Sequence, residues 1–311
     1  MNIADWRVGD SFTGFYLLKN IFLKTTAAGK PFLSAALADA TGMIELKIWD
    51  YAGPISPADE GKVVKCQGSV QEFKGALQAK GDRIRLATEQ DDYDIRDLTP
   101  CAPMDDNAAY RRVEELVSSM TDADYRTLCM ELLRRHGEGF RQIPAAKTVH
   151  HGFVGGLLMH TVYMLETAEF LANLYRPIVC RDLLLTGTLL HDFAKLEEFT
   201  VSELGLVTGY STKGQLLGHL VMGAQEVAEA AKELGIDEEK SMLVQHMLIS
   251  HHGQPEFGAA VAPQCAEAEL LCYIDNIDSR MEIYRENFEK LQPGEFSQRI
   301  FALEKRVYRH Q

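Results

Sequence analysis

The chain has 311 residues, 46% hydrophobic and 25% charged, and carries a net charge of −13. That length allows about two domains, and no window reaches the roughly 18 apolar residues of a membrane span. The charge argues against a protein that coats nucleic acid through a broad basic surface, because that mode depends on phosphate neutralisation, and leaves a local basic groove open. The opening residues, MNIADWRVGDSF, lack both the basic and the apolar region of a secretory signal, and the cysteines are scattered with no CxxC pair. Reduced, packed thiols and a cytoplasmic location are therefore expected.

From Ser11 to about Ala87 the pattern is strand-like. Runs such as FTGFYLLKNIFLK, MIELKIWD and KVVKCQGSVQEF are separated by turns near Gly29, Gly42, Gly61, Gly75 and Gly81. Short strands broken this regularly predict a small antiparallel barrel of the OB type over residues 1–90. Basic and acidic residues nearly balance there, so most of the negative charge lies further on. Such barrels bind single strands by aromatic stacking beside basic groups. Tyr16, Phe32, Trp49 and Phe73 are the stacking candidates, with Lys47 and Lys74 beside two of them; a place in the core is the alternative for each ring.

The stretch DDYDIRDLTPCAPMDDN has neither strand nor helix period and reads as a linker over residues 91–107. Residues 108–311 then read as an all-α domain. Segments from AAYRRVEELVSSM to SQRIFALEKRVY carry apolar residues at i, i+3, i+4 spacing. Thr121 with Asp122, and Asp237, read as N-caps, and Gly235 as a helix terminator.

Eight of the ten histidines lie between positions 150 and 252. His160 and Asp275 fall on apolar helices, His191 and Asp192 are adjacent after an apolar run, His219 lies near a predicted helix start, and His251 and His252 close another helix. Polar groups at core-facing positions are costly unless paired or metal-bound, and helical bundles build metal sites from inward His and carboxylate side chains. Asp192 can bridge two ions, and Lys195, four residues after His191, can meet a substrate phosphate. Lys213 and Arg280 are further phosphate partners. His150 and His151 are either phosphate contacts or caps, and His246, on a different helix face from His251, is expected to be structural.

The ordered set His160, His191-Asp192, Asp275 resembles the signature of the HD superfamily of metal-dependent phosphohydrolases. His219 and the SHHG at 250–253 resemble its two-metal members. The barrel followed by HHGFVGGLLMHT, LLHDFAK, LLGH, SHHG and YIDNIDSR is similar to the YhaM family of bacterial 3′–5′ exoribonucleases. Two departures stand out from the superfamily: Phe193-Ala194-Lys195 replaces the frequent Ile-Gly-Lys, and no GYP follows His252, which disfavours the cyclic-dinucleotide branch.

The resemblance implies a hydrolase acting on single-stranded RNA, with DNA as a further substrate. It implies Asp192 and Lys195 in catalysis and divalent ions, two in number, on His160, His191, Asp192, His219, His251, His252 and Asp275. Mn²⁺ is the first choice of metal, with Fe, Co, Mg, Ni or Zn as alternatives. Substrate contacts fall to Lys213, Arg280, His151, Trp49, Lys47, Phe73 and Lys74. A hydrolase of small nucleotides and a nucleic-acid-binding protein with an inactive HD domain are the competing readings, and a homo-oligomer is left open.

Overall fold

The computed structural model of the chain describes residues 2–146, 151–202 and 205–311. It divides into two compact units, the first ending at Cys101 and the second beginning at Ala102.

In the first unit, β1 (Ser11–Thr25), β2 (Pro31–Asp39), β3 (Gly42–Trp49), β4 (Val63–Phe73) and β5 (Ala76–Leu86) close into a barrel of order β1-β2-β3-β5-β4. β3 runs parallel to β5, and β1 closes antiparallel on β4. This Greek-key closure is the OB-fold. β3 buries Ile44, Leu46 and Ile48 and leaves Met43, Glu45 and Trp49 exposed, the period of two that a one-faced strand requires. Opposite the bulge in β5, where Asp82 is the extra residue, a Cβ on Gly68 of β4 would lie 2.1 Å from the Lys80 carbonyl oxygen, so only glycine fits.

Tyr16 is a core residue, not a stacking platform. It is 5% exposed, and its ring lies 5.5 Å from Trp6 and 5.8 Å from Phe12. The stretch read as a linker is also more ordered than its lack of period suggests. Ile95–Leu98 form one helical turn, α1, capped by Asp94, and Leu98 packs against Leu17, Ala38 and Val63. Asp91 holds Arg85 through two bonds of 2.6 Å.

The second unit is a helical bundle of α2 (Asp106–Ser118), α3 (Ala123–Gln142), α4 (Gly156–Leu174), α5 (Arg181–Leu190), the single turn α6 (Lys195–Glu198), α7 (Thr212–Leu234), α8 (Glu238–Ser250) and α9 (Ala266–Phe288). Between α6 and α7, β6 (Phe199–Val201) pairs antiparallel with β7 (Val207–Tyr210). Asp122 and Asp237 cap α3 and α8 by accepting backbone N–H bonds, and Gly235 ends α7 in the left-handed conformation. α5 is buried from Asp182 to Leu190 and packs on α3, α4, α8 and α9. A helix apolar all round belongs at the centre of a bundle, and each buried leucine there contributes about 2 kcal/mol.

The C-terminal segment differs from its helical expectation. SQRIFALEKRVY forms a short irregular hairpin, with bridges Phe296 to Tyr308 and Ile300 to Lys305 around a 3-10 turn at Phe301–Leu303. Leu303 and Val307 pack on Ile283 of α9, a burial that the hairpin achieves as well as a helix would. Arg309 donates to the Phe288 and Leu291 carbonyls at 2.5 Å each, satisfying acceptors that the end of α9 leaves open.

Candidate active site

The central position of α5 accounts for the site. The helix ends at His191, so the apolar run that drives it inward carries His191 and Asp192 into the interior. Asp192 Oδ2 lies 3.3 Å from His191 Nε2 and 4.0 Å from His160 Nε2 of α4. Its Oδ1 lies 3.4 Å from His219 Nε2 and 3.9 Å from His251 Nε2. Asp275 of α9 approaches His160 Nε2 at 3.4 Å. Three overlapping sets each bring their donor atoms within 4.8 Å of one another: His160, His191 and Asp275; His191, Asp192 and His251; His219, His251 and His252.

His219 sits at a break within α7. Gly218 has φ 72 and ψ 158, a conformation essentially confined to glycine. The His219 amide there donates to Glu198 Oε1 at 3.0 Å. Each imidazole is also oriented from behind. His191 Nδ1 faces the Thr188 carbonyl at 2.8 Å, His251 Nδ1 the Leu248 carbonyl at 2.8 Å, and His252 Nδ1 the Phe257 carbonyl at 3.0 Å. His219 Nδ1 lies 3.1 Å from both oxygens of Glu198, and His160 Nδ1 lies 2.6 Å from Asp278 Oδ2. Such contacts fix the tautomer and aim Nε2 at the centre. Sequence reasoning missed Asp278 and Glu198. Asp278 stands three residues after Asp275, so the helical period could have found it; Glu198, in the run KLEEF, carries no such signal.

The electrostatics fit a cation. Burial lowers the His160 pKa, but Asp275 and Asp278 together raise it to about 9. Burial likewise opposes ionisation of Asp192, yet Lys195 and His191 hold it well below the usual carboxylate range. Burial keeps His251 and His252 neutral, the form in which imidazole binds metal. His191 Nε2, His219 Nε2 and Asp192 Oδ1 are buried without a hydrogen-bond partner. Unsatisfied buried polar atoms are costly, and three of them converging with the other donors are what a divalent ion would satisfy.

The remaining expected residues divide. Lys195 belongs to the centre, its Nζ 2.6 Å from Asp192 Oδ2. Arg280 lines a cavity together with His251, His252 and Asp275. Lys213 is exposed and pairs with Glu197 at 2.6 Å. His151 is fully buried and contacts Asp278 Oδ2 at 2.8 Å, so it braces that carboxylate and cannot act as a surface phosphate contact. His150 lies outside the described residues. His246 accepts from the Gln264 amide at 2.9 Å and has no part in the cluster.

On the barrel, Trp49 and Phe73 are half-exposed. Trp49 packs on Phe32 with ring centroids 4.9 Å apart, and Lys47 Nζ lies 5.8 Å from the Phe32 ring. Lys74 Nζ lies 5.5 Å from the Phe73 ring. Trp49 also borders a cavity of about 600 Å³ that carries Lys65, Arg83 and Arg85.

An OB barrel and a helical bundle with this His, His-Asp, Asp set define a metal-dependent phosphohydrolase of the HD type. Residues 157–280 match the HD domain family model. Over 312 residues the chain is 38% identical to the 3′–5′ exoribonuclease YhaM of Geobacillus sp. (strain WCH70), covering 98% of this chain and 94% of that protein. The chain belongs to the YhaM family of 3′–5′ exoribonucleases. Among solved structures it is similar to the second OB-fold domain of replication protein A from Methanococcus maripaludis, with 17% identity, 30% of this chain and 98% of that one covered, and a TM-score of 0.24. It is also similar to a replication protein A heterotrimer bound to single-stranded DNA, with 19% identity, 27% and 62% covered, and a TM-score of 0.22.

Proposed function

We propose that the chain is a divalent-metal-dependent 3′–5′ exoribonuclease that shortens single-stranded RNA. The observation that carries this reading is the convergence of His160, His191, Asp192, His219, His251, His252 and Asp275 in a member of this family. His160, His191, Asp192 and Asp275 would hold one ion, and His219, His251 and His252 would hold a second. The mixed imidazole and carboxylate set suits Mn²⁺ first.

When bound, the ions polarise the phosphoryl oxygens and lower the pKa of the attacking water. The chain's own residues position and stabilise. Asp278 and Glu198 keep His160 and His219 aimed at the centre. Lys195 adds a buried positive charge where the phosphate becomes more negative. Arg280 holds a substrate phosphate from the adjoining cavity. Trp49 and Phe73, with Lys47 and Lys74, hold the strand by stacking and charge, and they tolerate DNA because every base has a π-face.

The test is a 5′-labelled single-stranded RNA incubated with Mn²⁺ or with EDTA. Stepwise shortening from the 3′ end, abolished by EDTA, is expected. Hydrolysis of mononucleotides alone would favour the small-nucleotide reading, and binding without turnover would favour an inactive HD domain.

A further inference from the structure

We infer that the cavity between α9 and the C-terminal turn seats the 3′-terminal nucleotide, with Phe301 stacking on its base and Glu304 accepting from its ribose hydroxyls. This inference rests on the exonuclease reading and names the subsite that reading requires. An enzyme that cuts one nucleotide from an end needs a space beside the metal centre that holds that nucleotide. A cavity of about 760 Å³ adjoins the centre, bounded by His251, His252 and Asp275 on one side and by the turn Phe301–Glu304 on another. Its size is in the range of sites for small molecules.

The walls are built but not self-satisfied. Phe301 is 95% exposed, although its neighbours pin the turn firmly. Leu303 and Val307 are buried against Ile283, Val307 N donates to Ser297 Oγ at 3.0 Å, and Arg306 Nε donates to the Ser297 carbonyl at 2.9 Å. A turn anchored in this way holds a phenyl ring out into solvent at the rim of the cavity. Phe257, on another wall, is 69% exposed and is tied to the centre by the bond between its carbonyl and His252 Nδ1. Base–aromatic stacking is sequence-tolerant, as removal of successive nucleotides demands.

The polar groups fit a ribonucleotide. The Arg280 guanidinium is half-buried and makes no hydrogen bond or ion pair among the described residues, which leaves it for a phosphate. The Glu304 carboxylate also lacks a partner among the described residues, and the residue holds a left-handed φ of 54° where glycine or asparagine is usual. A carboxylate can accept from both hydroxyls of a ribose, and only the 3′-terminal ribose has both free. A 3′-phosphate would instead set like charges together.

Calorimetry of adenosine 5′-monophosphate with the full chain in Mn²⁺ provides a readout apart from turnover. Phe301→Ala is expected to weaken nucleotide binding roughly ten-fold and raise KM on RNA by a similar factor, whereas Phe301→Trp retains both. Glu304→Gln is expected to shrink the preference for 3′-hydroxyl over 3′-phosphate ends. Thermal melting confirms that the variants fold. Unchanged nucleotide affinity and KM in Phe301→Ala overturn the proposal while wild-type shortening of RNA keeps the exonuclease reading. An altered oligomeric mass with unchanged affinity makes Phe301 an assembly contact and overturns it equally. Nucleotide binding that Phe301→Ala weakens, in a wild-type protein that shortens no RNA, removes the exonuclease reading and leaves the nucleotide seat standing.

Discussion

The barrel and the bundle treat their polar residues in opposite ways. In the barrel, Lys47 already donates to Ser34 at 2.7 Å and pairs with Glu45, so the ammonium beside Trp49 is satisfied before any ligand arrives, while Lys74 rests over the exposed Phe73 ring. In the bundle, His191 Nε2, His219 Nε2 and Asp192 Oδ1 are buried with nothing to bond. The barrel offers a surface that water can also occupy. The bundle converges buried donor atoms that a divalent cation would satisfy.

The largest expected effect breaks the bundle side of that contrast. Asp192→Asn keeps the shape but removes the charge at the point where four imidazoles and Lys195 meet. Turnover should fall by about 1000-fold or more, since metal stabilisation of the transition state amounts to several kcal/mol. Single-strand binding by the barrel should persist. Rates near wild type at saturating Mn²⁺ would place the chemistry elsewhere. Asp278→Asn comes next. It touches the centre only through His160 and His151, so a loss of about 10- to 100-fold in metal affinity or activity is expected, read by titrating activity against Mn²⁺.

That contrast also governs what the sequence could reveal. His160, Asp192 and Asp275 were legible because a polar residue on an apolar helix is anomalous without a partner. Asp278 shares the helical period of Asp275 but is one of many acidic residues along α9, and Glu198 carries no signal at all; the importance of both lies in how they meet a histidine from another helix. Gly218 gave no sign of the break it makes in α7. Tyr16 and Trp49 are both aromatic residues on strands, yet one is core and the other surface; the register of β1 and β3 decides this, and composition does not. SQRIFALEKRVY has a helical period, but burying two anchors, Leu303 and Val307, satisfies a hairpin equally well.

Trp49→Ala sharpens the comparison from the barrel side. Losing one stacking platform should weaken binding to long single strands by about ten-fold and leave very short substrates nearly unaffected. Lys74→Gln should lower affinity less and reduce the slope of log K against log salt by about one. Comparing kcat/KM on short and long RNA separates delivery from chemistry. An equal loss at both lengths would mean that the barrel supports the fold and does not feed the site.

The smallest effect concerns a histidine that lies in the bundle but behaves like the barrel's satisfied groups. His136 of α3 bonds to Glu226 of α7, and both are partly exposed. The Glu226 hydrogen bond raises the His136 pKa against the opposing effect of burial; Glu197 assists and Arg135 opposes. Because the folded pKa exceeds the unfolded value of about 6.5, the pair's stabilisation is complete below that pH and is lost as pH rises through the folded pKa. Partial exposure limits it to about 1 kcal/mol, or roughly 2–4 °C in Tm. Glu226→Gln should therefore lower Tm most near pH 6 and least near pH 9. A difference that stays constant with pH would mean that the pair acts by packing. Metal affinity should not change, because His136 Nε2 is partnered by Glu226 and the ring has no contact with the proposed ligands. Its ring does meet Phe193 edge-on at 6.5 Å, and Phe193 follows Asp192 in the chain. A fall in Mn²⁺ affinity in Glu226→Gln would show that this contact transmits to the ligand set, and the division between satisfied and unsatisfied histidines would not hold at that point.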